Sequence, residues 1–164
     1  MRILGIDPGL ATMGWGVLDN ENGKSRLVEC GAVITPPDMP VHRRLHHIFL
    51  SVKELIETFQ PQEIVFEELF FNQNITTAMN VSAARGAALC ACAESGLPMY
   101  EYTPLQIKQA VTGYGRADKS QVQQMVKMML NLPAIIRPDD AADAVAAALT
   151  HAASGRMKEQ FLMK

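Results

Sequence analysis

Along the first 35 residues apolar side chains cluster in short runs rich in Gly, Ile and Val: "ILGIDPG", "MGWGVLD" and, after "NENG", "KSRLVECGAVIT". Asn22-Gly23 between the second and third runs is strong hairpin chemistry, so three consecutive antiparallel strands are expected. From Val41 the period changes. Val41, Leu45, Ile48, Phe49, Val52, Leu55, Ile56 and Phe59 follow helical spacing, while Arg43, Arg44, His46, His47, Lys53 and Glu54 fall mostly on a solvated face, and the helix must end before Pro61. "EIVFEELF" reads as a buried strand. After the loop "NQN" a helix of mostly small residues runs from Ile75 to Gly96, able to approach another helix closely, either within the fold or from a second subunit. "PMYEYT" is the next strand. Thr103 with Gln106 and Asp118 with Gln121 each form a capping box, the first with Pro104 at the opening helical position; they start helices on either side of the glycine-rich turn "TGYGRAD". The second of these, "KSQVQQMVKMMLNL", carries an apolar stripe of Val122, Met125, Val126, Met129 and Leu130. A last helix occupies "PDDAADAVAAALTH", and the tail from Gly155 reads as frayed. Strands alternating with helices after a three-stranded meander predict a mixed α/β fold.

At 164 residues the chain suits one domain, 1–164, and its 48% hydrophobic and 20% charged content is that of an ordinary folded protein. No signal-peptide core opens it and no apolar stretch approaches membrane-spanning length, which predicts a cytoplasmic protein. Cys30, Cys90 and Cys92 form an odd set without a CxxC pair, and read as reduced core thiols rather than a disulfide framework or zinc site. A net charge of -2 argues against a nucleic-acid binder unless some acids are metal ligands; setting four aside leaves 13 acidic against 15 basic residues.

Several acids stand where folding alone does not want them. Asp7 ends a run that otherwise reads as a central strand, although Asp7-Pro8-Gly9 is also good turn chemistry. Glu67 and Glu68 end the apolar run "IVF", and alternation sends one to each face without saying which. Asp139, Asp140 and Asp143 open the last helix. Acids in a first turn are favoured by the macrodipole, yet three exceed what capping needs, and both Asp140/Asp143 and Asp139/Asp143 can share a face. Carboxylates from two strand ends and one helix start suit Mg²⁺ or Mn²⁺, and two such ions can clamp a phosphodiester during attack by water.

Taken together, "ILGIDPG" with Gly14 and Gly16, "FEELFF", "ARGAAL", "YEYTPLQIKQAVTGYGRADKSQVQ" and "PDDAADAVAAALTH" resemble the RuvC family of Holliday junction resolvases, and they do so almost end to end. The resemblance implies an RNase H-like fold: a five-stranded mixed sheet, an antiparallel meander plus parallel strands, flanked by helices. It places the catalytic, metal-holding carboxylates on Asp7, Glu67, Asp140 and Asp143, with Asp7 between two Mg²⁺ ions (Mn²⁺ substituting), water as nucleophile and no covalent enzyme intermediate. Asp139 is left as a cap or outer acid. Lys108 and Lys119 match family lysines that meet DNA phosphates, and Lys119 also matches one that stabilises charge at the scissile group. Phe70 matches an aromatic that stacks on a base near the crossover, with Phe71 beside it as the competing choice. The implied activity is paired, symmetric nicking of four-way DNA junctions by a homodimer, leaving 5'-phosphates, in recombination and repair, alongside a branch-migration helicase complex. His151 is expected only to complement the end of its helix.

Three rivals differ in class: another nuclease of the same fold acting on RNA–DNA hybrids or other branched nucleic acid, a DNA-binding relative without catalysis, and an ATPase of the sugar-kinase type. The complete acid set disfavours the second. The third needs a nucleotide-gripping lobe for which 164 residues leave no room.

Overall fold

The computed structural model describes residues 1–69 and 75–164, with the side chains of 75–77 and 156 left aside. Strands β1 (Arg2–Asp7), β2 (Thr12–Glu21) and β3 (Lys24–Ile34) form the expected antiparallel meander, and Asn22 and Gly23 both take positive φ at its hairpin turn. β4 (Glu63–Glu67) and β5 (Met99–Tyr102) add in parallel, giving the order β3-β2-β1-β4-β5. Helices α1 (Val41–Phe59) and α2 (Ile75–Ser95) cover one face. The other carries α5 (Asp139–Ser154), with α3 (Pro104–Thr112) and α4 (Lys119–Met129) packed beside it. This is the mixed α/β architecture expected from the pattern.

Strand alternation divides the core in two. Leu4 and Ile6 of β1 join Ile64 and Phe66 of β4 under α1 and α2, whereas Ile3 and Val65 belong with α5. By the same parity Asp7 follows Ile3 and Gly5, and Glu67 follows Glu63 and Val65, onto the α5 side.

α5 sits unusually close to the sheet. A Cβ on Gly5 would collide with the Ala144 carbonyl, one on Gly14 with the Asp140 carbonyl, and one on Gly16 with the Val145 side chain. Alanines on the helix complete the close approach: Ala141, Ala144, Ala146, Ala147 and Ala148 are all buried. The alanine-rich sequence of this helix is therefore half of a matched surface whose other half is the glycines of β1 and β2.

Helix ends follow the sequence signals with two departures. Both capping boxes form, at Thr103/Gln106 and Asp118/Gln121. α4 stops at Met129, earlier than its apolar stripe suggests, because Leu130 and a left-handed Asn131 turn the chain and Leu132 N–H bonds back to the Lys127 carbonyl. α5 starts after Pro138 with no side-chain cap, so Asp139 does not cap it.

Three other expectations need correction. The tail does not fray: Gly155–Phe161 form a 3-10 helix, Phe161 packs on Tyr102, and Met163 N–H bonds to the Met99 carbonyl. His151, only 1% exposed, lies 2.6 Å from Glu63 Oε2 through Nε2 and 2.8 Å from the Tyr102 hydroxyl through Nδ1, with Lys158 on the other Glu63 oxygen. It is the centre of a buried network rather than a helix-end charge. Burial holds His151 below its usual pKa against the pull of Glu63; Glu63, despite burial, is held low by Lys158 and His151. Of the cysteines all are free, but only Cys92 is buried, Cys30 being half-buried and Cys90 exposed. Arg43, His46 and His47 are solvated as expected, while Arg44 turns inward to donate to Thr35 Oγ1 at 2.8 Å.

Replacing Gly14 with alanine should lower stability by about 1–3 kcal/mol, because helix or strand must shift to admit the methyl group; an unchanged urea midpoint would contradict the close seating. His151→Ala should cost about 2–4 kcal/mol from the void and the unpaired Tyr102 hydroxyl. Chemical denaturation reads that loss directly.

Candidate active site

Asp7 closes β1, Glu67 closes β4, and the start of α5 supplies Asp140 from its first turn and Asp143 three residues on, at the same edge of the sheet. β1 and β4 are parallel neighbours, so their carboxyl ends emerge together. Seating α5 on Gly14 through the Asp140 carbonyl then brings the helix start to that edge. The parity that settles Glu67 also settles Glu68: Glu68 lines a cavity on the opposite face with Ser82, Arg85 and Glu101.

The electrostatics show how tightly the acids share space. Burial, then repulsion from Glu67, Asp143 and Asp140, pushes the Asp7 carboxyl up to about 8, with Lys119 opposing. Burial and Asp143 push Glu67 up to about 7, against Lys119 and Lys108. Asp143 is raised chiefly by burial, with its hydrogen bond from Lys119 pulling the other way. Asp139 does not figure among the groups acting on Asp7. Instead it accepts from Gln123 at 3.0 Å and from Arg137, and lies 3.6 Å from Lys119. Its carboxyl is held below the usual range by the Gln123 hydrogen bond, aided by Lys119 and Arg137.

Lys119 heads α4 immediately after its Asp118 cap, and its ammonium lies 2.9 Å from Asp143 Oδ2. Burial works against that charge, but Asp143, Asp139 and Asp140 outweigh it and hold Lys119 above its ordinary pKa. A cavity of about 230 Å³ is lined by Glu67, Lys108, Lys119 and Asp143 with Pro104, Ile107, Val122 and Ala146. Both sequence-selected lysines therefore flank the acids. Phe70 and its competitor Phe71 lie outside the described residues.

Among the described residues no three histidine, cysteine, aspartate or glutamate side chains already converge as a metal cage. The chemistry of the set nonetheless fits a hard divalent cation: four carboxylates, no soft donor, and three of the four held toward protonation by burial and mutual repulsion that a nearby positive charge would relieve. The same edge pairs anionic groups, suited to cations, with lysines suited to phosphates. Sequence reasoning gave no role to Gln123 and Arg137, which hold the Asp139 carboxylate, or to Arg85, which donates to Glu101 at 2.5 Å and lies over the Phe66 ring on the opposite, α2 face. Gln123 and Arg85 fall inside the family motifs, but nothing local marks their partners.

Comparison with known proteins covers nearly the whole chain. Residues 3–151 match the family described as crossover junction endodeoxyribonuclease RuvC. A crossover junction endodeoxyribonuclease RuvC from Rubrobacter xylanophilus is 56% identical over 94% of this chain and 87% of its own length. The Thermus thermophilus RuvC structure superposes with a TM-score of 0.89 at 40% identity, covering 99% of this chain and 98% of that one. T. thermophilus RuvC in complex with a Holliday junction substrate gives 0.90 at 38% identity, covering 99% and 100%. Motifs, sheet order and matches over nearly the whole length lead to one assignment: the chain belongs to the RuvC family of crossover junction endodeoxyribonucleases, with their RNase H-like fold.

Proposed function

We propose that this chain, acting as a single nuclease domain over residues 1–164, resolves four-way DNA junctions by paired, symmetric hydrolytic nicks that leave 5'-phosphates. The observation that carries the reading is the meeting of Asp7, Glu67, Asp140 and Asp143 from three elements at one sheet edge, with Lys108 and Lys119 alongside. The T. thermophilus RuvC bound to a Holliday junction, similar over 99% of this chain, supports the choice of substrate.

In this reading Asp7, Glu67, Asp140 and Asp143 would hold two Mg²⁺ ions, Mn²⁺ substituting, and the cations would supply Lewis-acid activation and charge neutralisation at the phosphodiester. Asp7, whose carboxyl is pushed up by all three partners, is the acid most in need of that positive charge. Lys108 fixes the backbone by a phosphate contact. Lys119, now 2.9 Å from Asp143 Oδ2, would place its ammonium to stabilise charge developing on the scissile phosphate. Phe70 remains the proposed base-stacking residue, by family resemblance. Asp139, held by Arg137 and Gln123, stays outside the ligand set and orients Lys119 from 3.6 Å.

Two nicks need two sites, so the active form is a two-fold homodimer. The exposed side of α2 offers Ser82, Ala83, Cys90 and Ala93, and a Cβ on Gly86 would meet nothing within 4 Å, leaving that side open to a second copy. A branch-migration helicase complex as a working partner follows from family membership alone. Cytoplasmic action agrees with the finding that, among the described residues, no helix is long and apolar enough to cross a membrane.

A synthetic mobile junction incubated with Mg²⁺ and mapped at nucleotide resolution should show nicks symmetric about the crossover. Stronger binding to RNA–DNA hybrid than to the junction, measured in Ca²⁺ to block cleavage, would instead place the chain among the other nucleases of this fold. Asp7→Asn should retain junction binding and lose nicking by at least about a thousandfold, comparable to the loss of other transition-state charge stabilisers; Asp139→Asn should nick within about threefold of wild type. Mn²⁺ should raise the melting temperature of the wild type by ligand linkage and do so less for Asp143→Asn. Gly86→Leu should shift sedimentation from dimer to monomer, and an intact dimer would move the interface off α2.

A further inference from the structure

Tyr114 is the one exposed aromatic side chain among the described residues, at 56% exposure, and the established chemistry gives it no task. A single exposed apolar group is ordinarily unremarkable. Here the backbone beneath it is braced from several sides. The Thr112 hydroxyl accepts from Tyr114 N–H at 3.1 Å and lies 2.8 Å from the Lys108 carbonyl and 3.0 Å from that of Tyr114, sharing its proton between them. Gln109 donates to the Gly113 carbonyl at 2.9 Å, and Ala117 N–H bonds to the Tyr114 carbonyl. Gly113 supplies the left-handed φ of 75° that ends α3, and Gly115 lets Leu105, itself 62% exposed, lie against the turn. A side chain on so fixed a base loses little backbone freedom when it binds something.

The position of this turn identifies the partner. It joins the helix that carries Lys108 to the helix that opens with Lys119, so the ring is a chain neighbour of both proposed phosphate contacts. Beside it an open cleft of about 360 Å³ is lined by Thr112, Ala117, Ser120, Gln121, Gln124 and Met125. Ring and thioether give flat and adaptable apolar surface, hydroxyls and two amides give neutral polar groups, and no carboxylate lines the cleft to repel DNA.

We propose that Tyr114 is a stacking platform for an unpaired nucleobase of the junction strand, seated in the cleft against Met125 and next to the backbone held by Lys108 and Lys119. Stacking on an aromatic ring tolerates any base, so this site contributes grip and register more than sequence choice. The proposal rests on the reading of the two lysines as phosphate contacts.

The test is junction binding in Ca²⁺ across a salt series, by anisotropy, with full-length Tyr114→Ala, Tyr114→Leu and Tyr114→Phe. The ring's loss in the alanine and leucine variants should weaken binding by about 5- to 100-fold with the salt slope unchanged, while phenylalanine binds like wild type. Leucine keeps an apolar side chain, and equal melting temperatures show that the fold is intact. A fluorescent adenine analogue walked through the crossover should be quenched at one position in wild type and regain emission in Tyr114→Leu. Alanine and leucine variants that bind within about twofold of wild type, a flattened salt slope, or no quenched position would each overturn the proposal; the scale is the stacking contribution expected for one base. The phosphate reading fails separately, through Lys108→Ala and Lys119→Ala that leave the slope unaltered.

Discussion

Backbone meets backbone where α5 crosses β1 and β2, and that contact sets the position of everything the site uses. Gly5 and Gly14 have no Cβ because the Ala144 and Asp140 carbonyls occupy the space, and the alanines of α5 are small for the same reason. A helix held at ordinary side-chain distance would carry Asp140 and Asp143 away from the ends of β1 and β4. The contact also explains why α5 tolerates an uncapped start after Pro138: its first turn is held by the sheet rather than by its own side chains. Toward the other end of the same helix His151 ties α5 to Glu63 at the start of β4, the strand whose far end carries Glu67.

Charge then works against this geometry. Packing places four carboxylates in partial burial, and burial with mutual repulsion lifts Asp7 and Glu67 well above ordinary carboxylate values. Lys119 offsets part of that cost through Asp143, and Asp139 is drawn off by Arg137 and Gln123. A fold that sustains such a cluster is arranged for cations rather than for stability. On the proposed reading the same arrangement would also offset the net charge of -2 against a DNA substrate, because the acids that set the sign would be the ones that cations neutralise.

Much of this was legible in residue order. Strand runs, the Asn22-Gly23 hairpin and both capping boxes are local, and local chemistry decided them. Alternation could not choose between Glu67 and Glu68, because Ile64, Val65 and Phe66 are all apolar where β4 is covered on both faces; the family resemblance named Glu67, and the structure puts it on the α5 side. Of the two roles left to Asp139, cap or outer acid, the cap does not form, and Gln123 and Arg137 hold its carboxylate instead. His151, the docked tail and the early end of α4 depend on partners such as Glu63, Tyr102 and Lys127 that no local period reveals. Tyr114 was visible inside "TGYGRAD" only as part of a turn; its exposure and bracing belong to the three-dimensional structure.

The central claim is that the seating of α5 makes a divalent-cation site from Asp7, Glu67, Asp140 and Asp143. Anomalous diffraction from crystals of the protein equilibrated with Mn²⁺ tests it most directly. Peaks bridged by Asp7, with Glu67, Asp140 and Asp143 completing the coordination and Asp139 outside it, are the predicted result. Ions ligated by Asp139 in place of Asp140, or bound only away from Asp7, would contradict the account.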